Sequence, residues 1–213
     1  MFISRSQIRS ISERFSFKTL ILVVCICSWA SWTKAAEDPQ AVVRTGINQI
    51  LNIMRQYPQD TRARKENIEA VIDRYFDFES MARLAVGQQW DSLSREQQQK
   101  FTAEFKEVLL GKYLGDIEKY ARPDMTYRTA PLAQGYVIVR TVLNYQGNPV
   151  SLEYFLHLRN GDWKVYDVSI EGMSLVINYR QQFGAILANG SFSDLSNMLR
   201  REIVRMCEIN RNC

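Results

Sequence analysis

The stretch from Trp163 to Phe183, WKVYDVSIEGMSLVINYRQQF, limits the possible folds more than any other in the chain. Val165, Tyr166, Val168 and Ile170 make its first half a strand, because β-branched and aromatic side chains suit a pleated, half-buried surface. Glu171-Gly172 ends that strand, since glycine tolerates backbone angles that a strand cannot use. Ser174 then offers a helix N-cap, and the apolar period changes from two to about 3.6. Val176, Tyr179, Phe183, Ile186 and Leu187 share one face of that helix. A strand that runs directly into an amphipathic helix lets the helix fold back over the apolar side of its sheet. The space between the two is the expected site, and its residues suit a greasy occupant rather than a reactive one.

The chain has 213 residues, and residues 1–36 do not read as part of this fold. Arg5, Arg9, Arg14 and Lys18 form a basic leader, followed by an apolar run from Leu20 to Trp32. Small residues at Thr33, Ala35 and Ala36 suit a signal peptidase, so export and removal of residues 1–36 are expected. The other reading is a membrane anchor, but the run falls well short of the roughly 20 residues a spanning helix needs. Residues 37–213 are expected to form one domain, with 37–122 mainly helical, 123–172 an antiparallel sheet and 173–206 the C-terminal helices.

Losing the leader changes what the charge implies. The whole chain is formally +4, but residues 1–36 carry five of its 27 Lys and Arg and one of its 23 acids. The remainder is therefore close to neutral and carries no basic stripe of the kind nucleic acid demands. Cys25 and Cys27 leave with the leader, so Cys207 and Cys213 remain near the C-terminus. They could close a short disulfide loop in an oxidising compartment or stay as two terminal thiols, and both readings are open.

Helices come first in the remaining chain. From Pro39 to Tyr57, Val42, Val43, Ile47, Ile50, Leu51 and Met54 trace one face. A second helix is expected from Thr61 to Phe76, with Ile68, Val71, Ile72 and Tyr75 inward. Asp77 can cap a third, FESMARLAVG, which Gly87 stops. Ser94 and Gln97 form a capping box that opens the longest helix, along which Phe101, Phe105, Val108, Leu109, Tyr113, Ile117 and Tyr120 recur. That aromatic face can be core packing or the wall of a cavity.

Beyond Pro123 the period shortens. Met125–Thr129 reads as an edge strand closed by Pro131, and Tyr136–Tyr145 and Val150–Arg159 as strong strands. Asn160-Gly161 is the clearest hairpin signal and leads into the strand at Trp163. The expected fold is α+β, with about four antiparallel strands covered on one face by helices and a helical portion at the N-terminal side. A last helix is expected from Phe192 to about Met206, capped by Ser193.

Reactive chemistry is hard to assemble from these residues. The chain has one histidine, His157, which reads as a partly exposed sheet residue beside Glu153, Phe155 and Arg159. One histidine and two terminal cysteines cannot build a zinc or iron site of ordinary spacing, so no metal is expected. Neither a Gly-x-Ser-x-Gly elbow nor a phosphate-cradling glycine loop is present. Asp167, Ser169 and Glu171 fall opposite Val168 and Ile170 and are expected to be solvated. What remains is surplus apolar surface. A sheet of this size needs about two helices to cover it, and four apolar helix faces are present, so the excess packs helix on helix or encloses a void.

Two blocks, FDFESMARLAVGQQW (76–90) with the helix Ser94–Tyr113 after it, and WKVYDVSIEGMSLVINYRQQF (163–183), resemble the MlaC family, also called the toluene-tolerance family. The resemblance extends over nearly all of the chain after the leader. It implies a nuclear-transport-factor-like sheet with a helical portion, residence in the periplasm and no enzymatic activity. It also implies a phospholipid held by its acyl chains as cargo, with no cofactor. The implied partners are an outer-membrane lipoprotein–porin complex and an inner-membrane ABC transporter complex, between which lipid passes to maintain outer-membrane asymmetry. No nucleic-acid partner is expected, and the chain is expected to be a monomer. The cysteines at 207 and 213 are not part of the resemblance.

The physics agrees with that implication. Moving a diacyl lipid through water exposes its tails at about 0.8 kcal/mol per CH₂, on the order of 20 kcal/mol in all, whereas an apolar sleeve replaces the bilayer almost isoenergetically. The sleeve is expected between the sheet face (Val139, Leu143, Tyr154, Leu156, Val168, Ile170), the 94–122 helix (Phe105, Leu109, Tyr113) and the 174–188 helix (Val176, Tyr179). Phe76, Leu84 and Met173 are expected to close it. Two other classes remain open: a periplasmic chaperone or adaptor that shows apolar surface to proteins, and an isomerase or dehydratase on a cone-shaped sheet. The enzyme would need an inward His or Asp, which the apolar alternation of the strands argues against.

Overall fold

In the computed structural model, residues 37–119, 125–145 and 147–210 are described. The leader at 1–36, Tyr120, Gln146 and Cys213 lie outside them. The elements are α1 (Pro39–Gln56), α2 (Thr61–Tyr75), α3 (Phe78–Val86), a 3₁₀ turn (Gly87–Ser92), α4 (Arg95–Lys119), β1 (Met125–Ala133), β2 (Tyr136–Tyr145), β3 (Asn148–Arg159), β4 (Asp162–Ile170), β5 (Met173–Ser174), α5 (Leu175–Asn189) and α6 (Phe192–Asn210). Among the described residues no helix is long and apolar enough to cross a membrane.

The helices start where local chemistry satisfies their free N–H groups. Asp77 accepts from Ser80 N at 3.1 Å, and Gly87 ends α3 at φ 75°. Ser94 and Gln97 cap each other, Ser94 N to Gln97 Oε1 at 2.8 Å and Gln97 N to Ser94 Oγ at 3.2 Å. At α6 the cap is Ser191 rather than Ser193. Ser191 N donates to Asp194 Oδ2 at 2.8 Å while Asp194 N returns to Ser191 Oγ. An acid three residues on completes that box, and the expectation at Ser193 overlooked it.

The sheet is antiparallel and runs in chain order, β1-β2-β3-β4-β5. Four strands match the expectation, and the two-residue β5 adds a fifth along β4 through Ser169–Ser174 and Ile170–Met173. Asn160 and Gly161 both take positive φ, 54° and 85°, as a two-residue hairpin of this hand requires. β1 does not stop at Pro131. It continues to Ala133 with a register irregularity between those two residues, which an edge strand allows because only one side of it needs ladder donors.

One irregularity in β4 matters for the interior. Phe155 pairs with Asp167 but Leu156 pairs with Val165, so Tyr166 is an extra residue in the ladder. Without that bulge, Val165 and Val168 would fall on opposite faces of a period-two strand. With it, both join Val139, Leu156 and Leu175 in one buried cluster under α1 (Val42, Val43). The same region corrects the reading of Asp167 and Ser169, which are 7% and 3% exposed rather than solvated. The first turn of α5 closes over Asp167. Its carboxylate accepts from Val168 N at 2.8 Å, from Val176 N at 3.0 Å and from the Ser174 hydroxyl.

The surplus helical surface is used in both of the ways open to it. Phe101 and Phe105 of α4 meet Tyr179 and Phe183 of α5, with Phe105–Tyr179 ring centroids 5.0 Å apart and Phe101–Phe183 5.7 Å. Met81 and Ala85 of α3 and Leu195 and Leu199 of α6 complete this helix-on-helix core. The remaining faces surround a void.

Candidate functional site

That void is a cavity of about 360 Å³ between the inner face of the sheet, α1, α2 and the later turns of α4. The volume lies within the roughly 300–1,000 Å³ of typical ligand pockets. Each wall follows from an amphipathic pattern. α1 supplies Val42, Val43, Ile47, Ile50 and Leu51, and α2 supplies Val71, Ile72 and Tyr75. Leu109, Leu110, Tyr113 and Leu114 come from α4, and Val150, Leu152 and Tyr154 alternate along β3. Among the described residues, none that lines the cavity carries a charge, and the hydroxyl-bearing ones are Tyr75, Tyr113 and Tyr154. A surface with so few polar groups suits an apolar occupant better than water.

Close approach and ring contacts hold the walls in place. Gly46 of α1 lines the cavity where an added Cβ would stand 3.2 Å from the Tyr75 ring, so the missing side chain lets α1 and α2 approach. The Arg44 guanidinium lies 4.7 Å over the Tyr127 ring and ties α1 to the edge strand β1. Tyr154 is deep in the fold yet keeps accessible surface, because that surface faces the cavity. Burial pushes its phenol well above the ordinary range and keeps it neutral.

The structure divides the expected site residues into four groups. Phe76, Leu109, Tyr113, Leu143, Tyr154, Val168 and Ile170 line the cavity. Val139 and Leu156 are fully buried in the sheet-face core without reaching the cavity surface. Phe105, Val176 and Tyr179 belong to the helix-on-helix core. Leu84 and Met173 are 38% and 61% exposed and do not line the cavity. The wall expected from the 174–188 helix is supplied by α1 and α2, and α5 contributes only Leu175. The physical reason is ring packing: the aromatic stripe of α5 fits the Phe101–Phe105 stripe of α4 and is used there. The N-terminal wall was visible as an apolar stripe over 39–76, but nothing in that stripe says what it covers.

His157 of β3 sits in a polar cluster with Asp77 and Arg159. Its Nε2 lies 2.9 Å from Asp77 Oδ2, and Arg159 donates to Asp77 Oδ1 at 2.6 Å. Burial raises the Asp77 carboxyl, but hydrogen bonds from Ser80 and Arg159 outweigh it and the group lies below its usual range. Among the described residues, no group of three or more His, Cys, Asp or Glu side chains could hold a metal ion. Cys207 is disulfide-bonded.

Comparison with known proteins agrees with this geometry. A phospholipid-binding protein from Ralstonia solanacearum, solved in complex with a phospholipid, superposes with a TM-score of 0.74 at 27% identity, over 80% of this chain and 99% of that one. The toluene tolerance protein ttg2D of Pseudomonas putida is 23% identical over 181 residues, 81% of this chain and 84% of that protein. Residues 43–201 match the profile described as MlaC protein. With that match covering most of its length, and an open antiparallel sheet packed against a helical portion, this chain belongs to the MlaC family.

Proposed function

We propose that this protein is a carrier of phospholipid that holds acyl chains in the apolar cavity, and that it works in the periplasm after export by residues 1–36. It receives or delivers lipid at an outer-membrane lipoprotein–porin complex and an inner-membrane ABC transporter complex, and so helps keep the outer leaflet asymmetric. The observation that supports this reading is the wall itself: about 360 Å³ with no charged side chain among the described residues that line it. Acyl chains need only such a surface, since each buried CH₂ is worth about 0.8 kcal/mol and no nucleophile or base is required. Family membership and the phospholipid held by the Ralstonia solanacearum relative support the same reading. The proposed contacts are those of the expected residues that reach the wall, Phe76, Leu109, Tyr113, Leu143, Tyr154, Val168 and Ile170, together with the α1 residues Ile47 and Ile50.

Native mass spectrometry of the freshly purified protein, with thin-layer analysis of the extracted lipid, tests the proposal. A mass excess equal to whole phospholipid is the expected result. A bare chain would instead favour an adaptor that binds proteins through apolar surface.

A further inference from the structure

Phe76 and Phe78 both line the cavity, with ring centroids 5.8 Å apart, and Asp77 stands between them at 4% exposure. Phe76 also packs against all three hydrophobic clusters of the fold. Residues 76 and 77 are the only non-helical link between α2 and α3, so their position sets where this part of the wall stands. Two kinds of bond fix them. Through the backbone, Asp77 N donates to Val165 O at 2.8 Å and Phe76 bridges to Val165. Through the side chain, the Asp77 carboxylate passes β4 to reach β3, where it meets His157 Nε2 at 2.9 Å and Arg159 at 2.6 Å.

We propose that Asp77, His157 and Arg159 form a latch that holds the Phe76–Phe78 wall against the cargo and sets how fast the cargo leaves; the inference rests on the carrier reading above. Moving that wall outward separates a buried carboxylate from its two partners on β3, which raises the barrier to opening. The latch can also be reached from outside. The Arg159 side chain is 44% exposed, and its second nitrogen donates to Glu79, which is 57% exposed, at 2.8 Å. The polar contacts that hold the wall can therefore be broken from the solvent side. These three are positioning residues, because none of them lines the cavity.

The test measures release. Protein purified after export is loaded with a fluorescent-acyl phosphatidylcholine and mixed with unlabelled phosphatidylcholine vesicles in a stopped-flow instrument. Arg159→Ala and His157→Ala are expected to speed release about tenfold, as loss of one hydrogen bond to a charged group should. His157→Gln, whose amide nitrogen can donate in place of Nε2, is expected to stay close to wild type. Ser196→Ala cuts the 2.6 Å bond to Glu104 between α6 and α4 and should cost stability without changing release. Folded Ala variants that release at the wild-type rate would overturn the latch. Should they fail to fold, Arg159→Lys and Asp77→Asn give the same reading, since the first loses the guanidinium fork and the second keeps an acceptor for Ser80. Unchanged release in both would equally overturn it. Wild-type protein that never loads overturns the carrier reading, and the latch with it.

Discussion

The Asp167 carboxylate accepts a 3.0 Å hydrogen bond from Val176 N, so β4, which lines the cavity, and α5, which reaches it only through Leu175, share one buried anchor. The bond joins the sheet to the first turn of a helix whose stripe is committed to the helical core. Asp167→Ala leaves Val168 N, Val176 N and the Ser174 hydroxyl without this acceptor. A stability loss of about 2 kcal/mol is expected, the upper range for a lost cap plus unsatisfied donors. Urea unfolding followed by circular dichroism measures it. A loss below about 0.5 kcal/mol would mean that the anchor is not used.

Two buried aspartates should act in opposite directions with pH. Asp77 is held below its ordinary range in the fold, so its stabilisation is present above the unfolded value near 3.9 and is lost as pH falls through the folded value. Asp167 is raised, because burial outweighs its hydrogen bonds from Ser174, Val176 and Val168. Its contribution is therefore fully present below about pH 3.9 and is lost as pH rises through the folded value. Asp77→Asn is expected to flatten the acid loss of stability and Asp167→Asn to steepen it. Unfolding free energies between about pH 3 and 6 check both signs.

Much of the fold could be read in advance, and the site only partly. The Trp163–Phe183 stretch signals strand, break and helix through residue types that act locally, and the structure follows it, with Ser174 capping Ile177 N at 3.0 Å. Period-two alternation likewise fixed the inner face through Leu143, Tyr154 and Ile170. What covers that face depends on long-range choice. Val42 and Val176 both belong to apolar helical stripes, and nothing local says that the first meets the sheet while the second meets Phe105 and its neighbours. The extra residue at Tyr166 was also hidden, because a bulge depends on the partner strand's register. The two-sided burial of Asp167 was missed for a related reason: its exposure depended on where α5 came to rest.

Charge placed at the cavity surface should separate loading from folding. Ile47→Glu and Leu152→Glu put a carboxylate on half-buried wall positions and are expected to abolish lipid loading while the protein still unfolds cooperatively. Glu at Val139 or Val176 enters solid core and is expected to cost several kcal/mol and prevent folding. Native mass spectrometry with circular dichroism of the four variants distinguishes the two outcomes. Folded, lipid-loaded Leu152→Glu would remove β3 from the binding surface.

Emptying the cavity should be expensive. At about 24 cal/mol per Å³, a rigid void of 360 Å³ costs on the order of 9 kcal/mol, comparable to the whole stability of a typical domain. Delipidated protein is therefore expected either to contract or to melt roughly 10 °C or more below the loaded form. Differential scanning calorimetry before and after delipidation, with small-angle scattering for the contraction, measures both. Equal melting temperatures at unchanged dimensions would mean that nothing fills the space.

The most direct measurement places the cargo itself. Crystals of the protein loaded with a phospholipid brominated midway along its acyl chains give anomalous peaks at the bromine positions. The expected peaks lie inside the fold, between Ile47 of α1 and Leu152 of β3 and next to Phe76. Bromine on the outer surface, or within the Phe101–Phe183 core, would contradict an acyl-chain cavity bounded by α1, α2 and the sheet.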